Sequence, residues 1–82
     1  MNETEAIAYI RNHDADVRRW DRKPKYELVR LVLDRMRAMN ILLVTGGPAR
    51  WSKDELVNWL ANDRYPDAQD ARSIYYAAAG AR

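Results

Sequence analysis

The sequence predicts an all-α fold, a compact bundle of four to five short helices without disulfides. Apolar residues recur every three or four positions through most of the 82 residues, and no segment alternates as a half-buried strand would. The chain has no cysteine, so neither a disulfide nor a zinc–cysteine site can stabilise it. A chain of this length forms a single small domain with a small core.

The first helix has a suitable N-cap in Thr4, followed by a stripe at buried-face spacing formed by Ala6, Ile7 and Ile10. The polar residues 12–14 then suggest a break before Trp20. The pattern therefore predicts either an acidic helix over 3–12 followed by a short second turn, or one helix over 4–20. Trp20 packs inward in both alternatives.

A basic segment and the central helix occupy 17–44. Pro24 suits the first helical position, where its missing amide costs nothing. The helix buries a stripe consisting of Leu28, Val29, Val32, Met36 and Met39. It ends between Asn40 and Gly46, since either residue can adopt a left-handed cap. We expect 41–44 to be its last turn or a short extended segment, and 45–51 to be a turn.

A C-terminal helical pair is predicted over 52–79. Ser52 and Glu55 have the spacing of a capping box, which marks the start of the first helix of the pair. Its buried side consists of Leu56, Val57, Trp59 and Leu60. Pro66 and Asp67 separate it from the last helix, which buries Ala71, Ile74, Tyr75 and Ala78.

Charge is segregated along the chain. Residues 17–37 carry eight basic and three acidic side chains, whereas the whole chain has a net charge of only +2. A basic surface on a small domain is typical of nucleic-acid binding. We therefore expect a non-enzymatic domain that binds nucleic acid, with DNA favoured, by contacting phosphates. The candidate residues are Arg18, Arg19, Arg22, Lys23, Lys25, Arg30 and Arg37.

Aromatic residues of the C-terminal half support an alternative function. Tryptophan and tyrosine are enriched at binding hot spots, and the candidates are Trp51, Trp59, Tyr65 and Tyr76. Such a patch would make the chain a protein-interaction adaptor, a phage-encoded inhibitor of a host protein, or a homodimer. Arginine outnumbers lysine eleven to three, as expected of GC-rich bacterial or phage coding sequences.

Two DNA-binding motifs can also be compared with the C-terminal half. In a helix-turn-helix the last helix would enter the groove, exposing Gln69, Arg72, Ser73 and Tyr76, but Asp67 and Asp70 would place negative charge there. Separately, Gly47, Lys53, Leu56 and Leu60 resemble the second helix of SAP-type DNA-binding modules. Trp59 stands where that family tends to carry a basic residue, so this short resemblance does not assign the chain to the family.

No catalytic, metal or cofactor motif is recognisable. His13 is the only histidine, and Gly46 and Gly47 lack the Gly-Lys-Ser/Thr of a phosphate loop. We therefore expect neither an enzyme nor a bound cofactor. The longest apolar run, 41–44, is far shorter than the ~20 residues of a membrane span. These features predict a cytoplasmic protein that does not enter membranes.

Overall fold

The computed structural model describes residues 1–41 and 47–80, and within them it confirms the all-α class. Four α-helices and one 3-10 turn make up the fold, and these residues contain no strand. The helices are α1 (Glu3–Asp21), α2 (Lys25–Ala38), α3 (Lys53–Arg64) and α4 (Ala68–Gly80), with the 3-10 turn at Pro48–Arg50. The predictions for 42–46 lie outside the described residues.

Helix α1 is unbroken through the predicted break at 12–14, so the single-helix alternative is the observed one and the 3–12 boundary is wrong. Its N-cap is Asn2 rather than Thr4: the Asn2 Oδ1 atom accepts a hydrogen bond from the Glu5 amide at 2.8 Å. The helix continues because its buried stripe does, running from Ala6 and Ile10 to Trp20.

Helix α2 begins directly after Pro24, which occupies the N-cap position instead of the first helical one. The buried residues are Leu28, Val32 and Met36, whereas Met39 is 41% exposed. The helix ends at Ala38, and Asn40 then takes a left-handed conformation with φ of 56°. Asn40 is thus a left-handed residue just beyond the helix end, one of the two sites predicted.

Helix α3 begins with the predicted capping box. The Ser52 Oγ atom accepts from the Glu55 amide, and the Glu55 carboxylate accepts from the Ser52 amide, both at 3.2 Å. A three-residue connection, 65–67, leads to α4. In α4 only Ala71 is fully buried, while Ile74, Tyr75 and Ala78 are half-buried.

The apolar side chains form two separate clusters. The main core lies between α2, α3 and the C-terminal end of α1, and consists of Trp20, Leu28, Val32, Met36, Leu56, Val57, Leu60 and Ala61. The small core lies between α4 and the N-terminal half of α1, and its buried residues are Ala6, Ile10 and Ala71. Helix α1 therefore joins the two halves of the molecule.

The bundle is elongated. Its Cα atoms span 49 × 26 × 15 Å with a radius of gyration of 15.0 Å, whereas a spherical domain of this length has a radius of about 12 Å. A thickness of 15 Å accommodates no more than two helix layers. Consequently, each helix keeps a long solvent face, and side chains on those faces are available for contacts.

Candidate nucleic-acid interface

The C-terminal part of α1 presents arginines to solvent. Arg18 and Arg22 are exposed, and neither forms an ion pair within the described part of the chain. Arg11 lies on the same stripe, because spacings of seven and four residues keep the three side chains within ~40° of one another over ~16 Å. Exposed Ala15 lies between Arg11 and Arg18. The arginines thus form a straight, uncrowded row.

Arg19, also predicted to bind phosphate, is held by the protein itself. Its guanidinium donates to the carboxylate of Asp16, which is only 7% exposed. Releasing Arg19 would leave a buried charge with fewer partners, which is costly. Arg19 is therefore less available to an external anion than Arg18 or Arg22.

The turn from α1 to α2 contributes two lysines, one of which lies near a carboxylate while the other does not. Lys23 lies 3.5 Å from the Glu27 carboxylate, one helical turn later. Lys25, the first residue of α2, is exposed and forms no ion pair with a described residue. The turn thus continues the positive charge of α1 onto the start of α2.

On α2 the two remaining candidates also differ. Arg30 is exposed and has no acidic partner among residues 1–41 and 47–80, whereas Arg37 lies 3.8 Å from Asp34. Arg35, outside the predicted set, is bound at 2.8 Å by Asp63 of α3. The seven predicted residues therefore reduce to four uncommitted ones, Arg18, Arg22, Lys25 and Arg30, which we call the basic corner.

Three residues near this surface were missed by sequence reasoning. Arg11 was counted with the acidic N-terminal part, although its helical spacing to Arg18 was a usable signal. Arg50 is an exposed residue of the 3-10 turn, which packs against α2. Tyr26, directly after Lys25, is 72% exposed. Only the tertiary structure reveals the positions of Arg50 and Tyr26 relative to α2.

The aromatic residues proposed as one patch lie in three environments. Trp51 and Trp59 are half-buried against the main core and line a shallow cleft of about 280 Å³ with Glu55, Asn58 and Asn62. Tyr65 is half-buried between α1 and α3. Tyr76 is 60% exposed on α4, where its ring contacts only that of Tyr75 among the aromatic residues described.

Tyr65 belongs to a polar cluster around the buried Asp16. Its hydroxyl donates to Asp16, which also binds Arg19 and, at 3.2 Å, Arg64. Its ring makes edge contacts with Tyr9 and His13. Burial, followed by the hydrogen bond to Asp16, raises the pKa of Tyr65. The hydroxyl therefore stays protonated and serves as a structural donor.

A second polar group joins α1 to α4. His13 lies 3.0 Å from Asp14, and Arg72 of α4 lies 3.4 Å from the same carboxylate oxygen. The hydrogen bond with His13, with a smaller contribution from Arg72, lowers the pKa of Asp14 from its ordinary value of 3.8. Bonding to Tyr76 and Asp14 raises the pKa of Arg72. Arg72 is thus engaged within the fold.

Helix α4 lacks the charge expected of a DNA-recognition helix. The connection before it has the length used in helix-turn-helix motifs. However, its exposed residues include Gln69, Asp70, Ser73 and Tyr76, and its only basic residue is Arg72. The basic corner is therefore the better supported interface.

Other kinds of site have little support. The described residues contain no group of three metal-ligating side chains, and no described helix has both the length and the apolarity to cross a membrane. A cleft of about 480 Å³ lies between α2 and α3, with Arg35 paired to Asp63 at its edge.

Comparison with protein-family models, curated proteins and solved structures finds no match to this chain.

Proposed function

We propose that the protein binds nucleic acid, with DNA as the favoured target, through the basic corner. The observation that carries this proposal is that four basic side chains within residues 18–30 remain exposed and uncommitted, while most other basic residues of the described chain are paired with carboxylates. Guanidinium and ammonium groups in this state can replace the counterions of phosphates. The protein would act by binding alone, without catalysis.

The row on α1 supports contact with a phosphate backbone. Arg11, Arg18 and Arg22 extend it over ~16 Å, a distance along which a nucleic-acid strand presents several phosphates. Such contacts provide affinity and position the protein, but they carry little sequence information. We therefore expect weak sequence preference and strong dependence on salt.

The test is a fluorescence anisotropy titration of two labelled probes, a duplex of ~25 base pairs and a single strand of similar length. Each is measured at about 50 and 200 mM salt. Several phosphate contacts predict that affinity falls ~10²-fold or more across this range. Absence of binding to both probes at about 50 mM salt, with protein at tens of micromolar, contradicts the proposal.

A matched pair of variants locates the interface. Arg18→Ala with Arg22→Ala removes two positive charges and should weaken binding to both probes ~10-fold or more, while lowering the salt slope by about 2. Gln69→Glu with Ser73→Glu changes the net charge equally, but on the exposed face of α4. The control should bind nearly as well as the original protein; equal losses would show that net charge alone is responsible.

The alternative remains a protein-interaction module or a homodimer. The specific feature that favours it is the cleft that Trp51 and Trp59 line together with two asparagines. Sedimentation equilibrium at micromolar concentration would reveal a dimer as a doubled mass. A dimer lost on Trp59→Ala, together with no binding of either probe, would favour this alternative.

A further inference from the structure

We infer that Tyr26 is a stacking platform for an unpaired base, so that the basic corner prefers single-stranded nucleic acid. This inference rests on the proposed function and deepens it by naming the form of the ligand. It starts from the most exposed of the large hydrophobic side chains in the described chain, which is Tyr26 at 72% exposure. Exposing a tyrosine ring to this extent forgoes apolar burial, which is unusual in so small a domain.

No contact within the described chain accounts for Tyr26. Its ring pairs with no other described aromatic ring, whereas Tyr9, Tyr65, Tyr75 and Tyr76 all do. Its hydroxyl forms no hydrogen bond with a described residue, and the side chain belongs to neither core. The ring is therefore available to an external partner.

Tyr26 lines two shallow, open grooves that each contain a basic side chain. On one side it lines a groove of about 350 Å³ whose charged side chains are two basic and two acidic, namely Lys23, Arg30, Glu27 and Asp34. On the other side it lines a groove of about 420 Å³ with Lys25, Val29 and Ala49. Arg30 follows Tyr26 by four residues, so the two side chains lie on the same helix face. Each groove thus offers an uncommitted basic side chain beside the ring, Arg30 in the first and Lys25 in the second.

This combination suits a single strand better than a duplex. Proteins that bind single strands place aromatic rings along a positively charged groove, because phosphates follow the cations while bases stack on the rings. In a duplex the bases are already stacked and paired, so a protruding tyrosine ring gains no base contact without unstacking them. Tyr26 should therefore contribute to binding of single strands only.

The test compares substitutions at Tyr26 on an oligothymidylate of about 20 nucleotides and on the duplex. Tyr26→Ala should weaken binding of the single strand by about tenfold or more and leave duplex binding unchanged. Tyr26→Phe should keep the affinity, since stacking needs the ring and not the hydroxyl. Tyr26→Leu should behave like Tyr26→Ala, because it is apolar but has no aromatic face.

Tyr76→Ala is the matched control, since Tyr76 is a second exposed tyrosine that lies on α4 away from the basic corner. It should not change the affinity for either probe. A photocrosslink from 5-bromodeoxyuridine to Tyr26, located by mass spectrometry, gives an independent readout of ring–base contact. Circular dichroism verifies that each variant remains helical.

The outcomes separate the inference from the proposed function. Salt-sensitive binding of both probes, with no effect of Tyr26→Ala and no crosslink at Tyr26, would overturn the inference and leave the basic corner intact. An equal loss of affinity for the single strand and the duplex would also overturn it, because the ring would then not be stacking specifically on unpaired bases. Failure of both probes to bind at low salt would instead refute the proposed function itself.

Discussion

At the scale of single residues, a buried carboxylate joins α1 to α3 and to the connection that follows α3. Asp16 is 7% exposed and is bound by Arg19 of its own helix, by Arg64 of α3 and by Tyr65. A buried charge is tolerated when several donors surround it. Sequence reasoning placed Tyr65 in an interaction patch, because a contact across 49 positions leaves no local signal.

Tyr65→Phe should lower the free energy of unfolding by about 1–3 kcal/mol, as expected when a charged acceptor loses one buried hydrogen bond. The ring contacts with Tyr9 and His13 would remain, so the hydroxyl alone is tested. Urea denaturation followed by circular dichroism measures the change. Tyr26→Phe is the control and should leave stability unchanged; equal losses in the two variants would contradict this role of Tyr65.

At the scale of elements, helix caps are formed by residues that are close together in sequence. Some of these caps can therefore be predicted from the sequence. The capping box of α3 was predicted correctly because its two members, Ser52 and Glu55, are only three positions apart in sequence. For α1 the cap was assigned to Thr4, although Asn2 and Glu5 have the same spacing as Ser52 and Glu55. The Asn2 side-chain Nδ2 atom donates to the Glu5 carboxylate at 2.9 Å, a reciprocal contact that the spacing could have indicated.

Substituting the observed cap, Asn2, and the predicted cap, Thr4, tests which of the two residues caps α1. Asn2→Ala should lower the free energy of unfolding by about 0.5–2 kcal/mol, since an N-terminal amide loses its acceptor. Thr4→Ala should have no effect or stabilise slightly, because Thr4 is exposed inside the helix, where alanine is the better helix former. Thermal or urea unfolding measures both, and a larger loss for Thr4→Ala would show that the helix starts later.

Helix α1 also shows why a polar segment was mistaken for a break. His13 and Asp14 resemble a helix end in sequence, yet Asp14 bonds Arg72 of α4 and His13 contacts the Tyr65 ring. Side chains that are satisfied by neighbouring helices no longer compete for the backbone of their own helix. The sequence left a break and a continuous helix as alternatives because those partners are 52 or more positions away.

At the scale of the whole molecule, the two cores differ in size. The main core has eight buried residues from three helices, while the small core has three, two of them alanines. Burial of apolar area is the dominant favourable term in folding. Helix α4 packs along α1, but this interface fully buries only one large apolar side chain, Ile10. Polar contacts add to it, namely those of Arg72 and the bond from the Asp67 amide to the Tyr9 hydroxyl at 3.0 Å.

Native-state hydrogen exchange should reveal this difference. Amides of α4 should exchange through a local opening that has a lower free energy than the opening of α2 and α3. The α2 and α3 amides should exchange near the free energy of global unfolding. Exchange measured by NMR against denaturant concentration separates the two, and equal opening energies for α3 and α4 would show that the molecule unfolds as one cooperative unit.

Four properties can be predicted from the amino-acid sequence alone: the all-α class, the centre of each helix, the capping box of α3 and the concentration of positive charge in 17–37. These properties depend on helical periodicity, on neighbours within four positions and on composition. Only the three-dimensional structure shows which basic residues are uncommitted, that Tyr65 is structural, and that Tyr26 stands exposed beside Arg30 and Lys25. Ion pairing and exposure depend on residues brought together from distant parts of the chain, and a single sequence does not display those contacts.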